Sequence, residues 1–130
     1  MEKVWVNGTF DVLHIGHIKL LEYASTLGNV RVGIDTDSRV KEKKGNSRPY
    51  NSLEDRIEFM NSIKYVNSVV SFSSDEELRS CIEEWQPDVF VIGDDYIDKP
   101  IIGGALAKEI KFFTKVNGIS TSKILGDETI

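Results

Sequence analysis

The chain contains two histidines, His14 and His17, and both fall in one run, Gly8-Thr9-Phe10-Asp11-Val12-Leu13-His14-Ile15-Gly16-His17. A spacing of three places them on the same side of a helical turn, with Cβ atoms about 5–6 Å apart, so the two imidazoles can address one anion. Gly16 leaves backbone space between them. A helix starting nearby adds unpaired N–H groups and the positive end of its dipole, and the backbone of Gly8, Thr9 and Phe10 supplies further donors. Together these features suit a triphosphate. A single histidine is more often packing or surface, whereas two out of two in one loop weigh toward a ligand role. Zinc needs three or four ligands, and the one cysteine, Cys81, is distant, so the set is incomplete for that metal. The common phosphate loops G-x-x-x-x-G-K-[ST] and G-x-G-x-x-G are absent.

A second concentration of charge lies between Arg39 and Arg48, where RVKEKKGNSR carries five basic side chains and one Glu in a chain of net charge −5. The acidic total argues against a general binder of nucleic acid or of anionic membranes, which draws its affinity from clustered Lys and Arg. A local anionic ligand and a plain solvated loop both remain open for this stretch.

A loop of this kind needs a strand before it and a helix after it, and the patterning provides both. Residues 3–7 alternate and are rich in strand formers, and residues 17–27 carry Ile18, Leu20, Leu21, Tyr23, Ala24 and Leu27 at helical spacing before Gly28. A second strand is expected over 30–34, ending in the polar turn Asp35-Thr36-Asp37-Ser38, and the basic stretch then reads as loop or as a short helix followed by loop. Ser52 with Glu54 and Asp55 opens a helix through Ile57, Phe59, Met60 and Ile63. A short strand at Ser68–Phe72, a helix at Asp75–Trp85 and a doubly buried strand over 89–92 follow. A short helix over 105–109, a last strand over 111–116 and a helical turn over 120–125 complete the pattern. Trp5, Trp85, Phe59 and Phe112 fall on apolar faces and are expected in the core, with Cys81 as a small buried residue.

Strands alternating with helices imply βαβ units. The expected fold is α/β, a Rossmann-like, doubly wound, mainly parallel five-stranded sheet with helices on both faces. The 130 residues read as one domain, 1–130. Ligands of such sheets sit beyond the carboxyl ends of the strands, which directs attention to the loop after Asn7, to Asp35–Asp37, to Gly93-Asp94-Asp95 and to Gly118-Ile119-Ser120-Thr121. No apolar run approaches the roughly 20 residues of a membrane span, the start Met1-Glu2-Lys3 is unlike a secretory signal, and a single cysteine needs no oxidising compartment; the expectation is a cytoplasmic protein without membrane partners.

The run GTFDVLHIGH, with H-x-G-H at His14 to His17, taken with Gly118-Ile119-Ser120-Thr121-Ser122-Lys123-Ile124, resembles the cytidylyltransferase-like nucleotidyltransferases over nearly the whole chain. Class I aminoacyl-tRNA synthetases share H-x-G-H, but their second lysine-rich motif and RNA-binding surface are not evident here. The resemblance implies transfer of CMP or AMP from CTP or ATP to a small phosphorylated polyol or sugar, with release of pyrophosphate. Gly93-Asp94-Asp95 and the G-I-S-T element are similar to glycerol-3-phosphate cytidylyltransferase. Asn7-Gly8-Thr9-Phe10-Asp11, Lys44-Gly45-Asn46-Ser47-Arg48-Pro49-Tyr50-Asn51 and Ile101-Ile102-Gly103-Gly104 look more like the adenylyltransferase domain of bacterial heptose-phosphate enzymes. Lys115 stands where the glycerol-phosphate branch usually has Arg, exchanging a planar fork for a point charge.

A phosphate monoester has a second pKa of about 6 and is largely a dianion at neutral pH, so the acceptor needs no general base. His14 and His17 are therefore assigned to stabilising phosphate charge in an in-line displacement. The resemblance adds Lys44 and Arg56 as phosphate contacts. Their bland alternatives are a solvated lysine and a helix-surface ion-pair partner. The nucleotide is expected on Gly8, Thr9, Phe10, His14, His17, Asp94, Lys115, Gly118, Ile119, Ser120 and Thr121, although Ser120 and Thr121 can equally cap a helix. The acceptor is expected on Asp11 and Lys44; Asp11 and Asp94 are candidates for acceptor or ribose contacts or for holding Mg²⁺, with Asp also common in turns. Mg²⁺ is implied as the partner of the triphosphate, with no dedicated protein site visible, and a homodimer is implied by the resemblance. A non-catalytic nucleotide-binding module of the same fold is the competing reading.

Overall fold

The structure is a computed structural model and describes residues 1–114. It contains β1 (Lys3–Gly8), α1 (Ile15–Leu27), β2 (Asn29–Asp35), α2 (Asp37–Lys44), α3 (Leu53–Asn61), β3 (Ser68–Phe72), α4 (Asp75–Trp85), β4 (Val89–Gly93) and β5 (Glu109–Phe113), with single 3₁₀ turns at Asp94–Tyr96 and Gly104–Leu106. The five strands form one sheet in the order β3-β2-β1-β4-β5, and every pairing is parallel. This is the Rossmann-like α/β architecture expected from the alternation of strands and helices.

Successive side chains of β1 go to opposite faces. Val4 and Val6 join Val30, Val32 and Ile34 of β2 beneath α1 and α3, which contribute Leu21, Ala24 and Met60. Trp5 goes the other way, to Phe72, Phe90 and the α4 residues Leu78 and Ile82. Gly33 makes room for it: a Cβ there would lie 2.5 Å from Cζ2 of Trp5 and 3.1 Å from Phe72. The indole therefore lies against the β2 backbone.

The basic stretch is a short helix followed by loop, one of its two expected readings, with α2 ending at Lys44. Several local expectations change. The helix expected over 105–109 is only one 3₁₀ turn, because Glu109 already pairs with Val89 and its N–H donates to the Asp88 carbonyl at 3.0 Å. Phe59 and Phe112 are not core; they are 40% and 37% exposed. Phe112 lies on β5, the last strand of the sheet order. Trp85 is half-buried, its ring 6.4 Å from Trp5 and beneath the Arg31 guanidinium at 4.6 Å. Cys81 is also only half-buried, and burial pushes its thiol above the ordinary range, which makes it a poor nucleophile.

Candidate active site

The chain adds β2 and β3 on one side of β1 and then crosses to place β4 on the other. At this reversal the loops after β1 and β4 part, leaving a crevice at the carboxyl ends of the strands. A cavity of about 490 Å³ occupies it, walled by the loop after β1, by the end of α2 and by the segment around Ile101. That volume falls within the range of small-molecule sites.

His14 is the N-cap of α1, with extended backbone angles. Its Nδ1 accepts the Gly16 N–H at 3.0 Å, while its own N–H donates to Nδ1 of His17 at 3.2 Å. The pair thus caps the helix reciprocally, in the manner of a Ser/Glu capping box. An imidazole nitrogen that accepts carries no proton, so the ring proton of a neutral histidine held in this way belongs on Nε2. The rings stack with centroids 3.9 Å apart and planes 25° from parallel. Both residues line the cavity. Phe10, buried and at φ 49°, packs edge-on against His17 at 5.3 Å between centroids. Gly8 lies under that ring, where a Cβ would come within 3.2 Å.

Two expected ligand residues instead hold the loop together. Asp11 is 1% exposed, and its two carboxylate oxygens accept the Tyr50 N–H at 2.6 Å and the Asn51 N–H at 2.7 Å, with Arg48 at 3.4 Å. Asn51 returns a bond from Nδ2 to the Asp11 carbonyl at 2.7 Å. Asp11 borders the cavity, but its carboxylate is occupied in fastening the loop after β1 to residues 48–51. Arg56 is fully buried and is not among the residues lining the cleft. Its guanidinium donates to the carbonyls of Asn51, Thr9 and Asp35 at 3.0, 3.0 and 2.8 Å, and to Asp37 at 2.7 Å. The expected phosphate contact, and its alternative as a helix-surface partner, both give way to a buried tie between three segments of the site. Five donors in a planar fork suit that task.

The basic stretch divides in the same way. Arg39 is buried against Asp35 at 2.7 Å and Asp75 at 2.6 Å, and its hydrogen bond holds the Asp75 carboxyl below the usual range. Thr9 Oγ donates to the other oxygen of Asp35 at 3.2 Å. Arg48 is buried beside Asp11. Lys43 and Lys44 line the cavity. Asp94 is half-buried and opens the 3₁₀ turn directly after Gly93, which does line the cavity. Lys115, Gly118, Ile119, Ser120 and Thr121, and the helical turn over 120–125, lie outside the described residues. Asn7, Arg39, Ile101 and Ile102 also line the cleft, although the residue pattern did not single them out as ligands. The i,i+4 spacing of Arg39 from Asp35, across a strand end and a helix start, is a signal from which that pair could have been read.

Among the described residues, no three His, Cys, Asp or Glu side chains converge as a metal-binding group, and no helix is long and apolar enough to cross a membrane.

A model of the cytidylyltransferase-like family matches residues 5–126. The bifunctional protein HldE of Campylobacter fetus is 39% identical over 94% of this chain and 27% of its own length. The protein of the same name from Campylobacter jejuni is 42% identical over 94% of this chain and 26% of its own. The chain spans about a quarter of the length of the curated relatives it matches. A lipopolysaccharide core biosynthesis protein from Thermoplasma volcanium superposes with a TM-score of 0.72 over 88% of this chain and 98% of that one, at 23% identity, a likeness of fold.

Proposed function

The chain belongs to the cytidylyltransferase-like family, and on that premise we propose that it is a nucleotidyltransferase, moving a nucleoside monophosphate from CTP or ATP to a small phosphorylated sugar or polyol. The observation that carries this reading is the reciprocal cap of His14 and His17. It engages Nδ1 of each ring and sets both imidazoles on the cavity wall beside a helix N-terminus, where phosphate oxygens gather. The segments 7–11, 44–51 and 101–104, together with relatives near 40% identity that carry the HldE name, favour the sugar-phosphate branch with ATP as donor.

In this mechanism an acceptor phosphate oxygen attacks the α-phosphorus in line, the bond from that phosphorus to the bridging oxygen breaks, and pyrophosphate leaves with the electron pair. No proton has to move. The histidines donate to oxygens on which charge develops, and Lys43 and Lys44 offset the repulsion between two anions. Mg²⁺ would be carried on the triphosphate and held mainly by phosphate, since Asp11 and Asp35 commit their oxygens to protein donors. When bound, it neutralises phosphate charge. In the same proposal the 130 residues act as one nucleotidyltransferase domain, working in the cytoplasm as a homodimer.

The test is pyrophosphate release with Mg²⁺, crossing CTP and ATP with glycerol 3-phosphate and a heptose 1-phosphate. Release with one pair identifies reaction, base and acceptor together. Nucleotide binding by calorimetry without release from any pair would return the protein to the class of binding modules.

A further inference from the structure

Trp5 and Asn7 stand two residues apart on β1 and face the same side of the sheet. That side is apolar: Trp5 belongs to a cluster with Phe72, Leu78, Ile82 and Phe90, and Ile92, Ile101 and Ile102 pack against it. Asn7 is the amide in this setting, and it lines the cavity where the apolar wall ends.

Trp5 Nε1 lies 2.8 Å from Asn7 Oδ1. An indole N–H can only donate, so the atom it meets must be the carboxamide oxygen, and the NH₂ is turned away from the indole. Among the described residues this bond is the one hydrogen bond of the Asn7 side chain. The indole itself cannot swing, because it is fully buried and wedged over Gly33, where even a Cβ would come within 2.5 Å. A flip of the Asn7 amide would set NH₂ against N–H, so its orientation is locked from below.

A neutral donor on an apolar wall is poorly suited to a phosphate dianion, and the cavity holds His14, His17, Lys43 and Lys44 for that purpose. It is well suited to a neutral oxygen that must be desolvated on binding. Building on the nucleotidyl-transfer reading for the class of ligand, we propose that Asn7 is a specificity residue for the acceptor: its NH₂, aimed by Trp5, donates to a hydroxyl oxygen on the acceptor's carbon chain. The acceptor's phosphate then lies toward Lys44, and the apolar wall covers the carbon skeleton.

Calorimetry on the full chain tests this with four probes: heptose 1-phosphate, glycerol 3-phosphate, inorganic phosphate and ATP. Asn7→Ala should weaken the better-bound of the two hydroxylated esters by about tenfold or more, since the site loses a donor to a buried hydroxyl. Inorganic phosphate and ATP should stay within about twofold of wild type, the range outside which an effect counts as a lost contact. Trp5→Phe keeps an aromatic ring but frees the amide to flip, and should give a smaller loss for the same ester. Thermal unfolding of each variant separates loss of binding from loss of fold. A drop confined to ATP would mean that the amide reads the nucleotide base; equal drops for ester and inorganic phosphate would make it a phosphate ligand; no change would leave it structural. Each of these overturns the proposal, as does a wild-type protein that binds neither ester more tightly than inorganic phosphate. Ester binding that depends on Asn7, without pyrophosphate release, would overturn the transfer reading and leave the Asn7 assignment standing.

Discussion

The N–H of Gly16 points into Nδ1 of His14 at 3.0 Å, and a Cβ on Gly16 would lie 2.8 Å from Cε1 of the same ring. The glycine of the H-x-G-H element is therefore required by the imidazole that folds over it. Its backbone is helical and needs no special φ.

Gly16→Ala consequently separates stability from activity. Alanine is the better helix former by about 1 kcal/mol, so Tm should hold or rise unless the displaced ring costs as much. Turnover should fall by about 10–100-fold, the effect of misplacing a catalytic group by roughly an ångström. Pyrophosphate release and thermal unfolding on the same preparation check this, and undiminished turnover would show that the His14 position is not critical.

The two nitrogens of His17 can be tested apart. Asn at 17 places an oxygen near the Nδ1 position and can keep the bond from the His14 N–H, but it has no counterpart of Nε2. His17→Asn should fold normally and lose about 10²–10³-fold in turnover, as for removal of one donor to a developing oxyanion. His17→Gln, which restores a donor at greater reach, should recover part of that loss.

Arg56 is predicted to matter for folding more than for substrate affinity. Replacing it with Met would strip donors from the Thr9, Asn51 and Asp35 carbonyls and from Asp37. The expected cost is on the order of 3 kcal/mol in urea unfolding. A variant with wild-type stability and a raised KM for the triphosphate would instead make Arg56 a phosphate ligand.

The Arg39–Asp75 pair should leave a signature in acid. The Arg39 hydrogen bond lowers the Asp75 carboxyl from its ordinary value of 3.8. Because the folded value lies below the unfolded one, the pair's contribution is complete above about pH 4 and disappears as pH falls through the lowered value. The stability difference between wild type and Asp75→Asn, followed by urea unfolding from pH 7 to pH 2, should be constant at the upper end and close at the lower. Asp75 is largely exposed, so the difference will be small and should shrink in high salt.

The order of strands and helices was legible in the residues because hydrophobic periodicity is a local property. Ser68–Phe72 and Asp75–Trp85 have the bounds their patterns predict, since an acidic first turn at one end and Pro87 beyond the other punctuate α4. The two histidines, three apart after a strand, were equally visible, as the cap they form is made within one turn. Tertiary structure decided what the charges do. Arg39, Arg48 and Arg56 look alike in sequence to Lys43 and Lys44, yet the three arginines are buried among carboxylates and carbonyls brought from up to 47 residues away, and the two lysines reach the cleft. The same holds for Asp11, whose carboxylate meets backbone amides 39 and 40 residues further on, and for Asn7, whose amide is oriented by a tryptophan that only Gly33 allows to lie flat. Periodicity reports which face of an element is apolar. Which partner a buried polar group finds depends on loop geometry, because a hydrogen bond is satisfied within about 3 Å at the right angle and sequence distance carries no information at that scale.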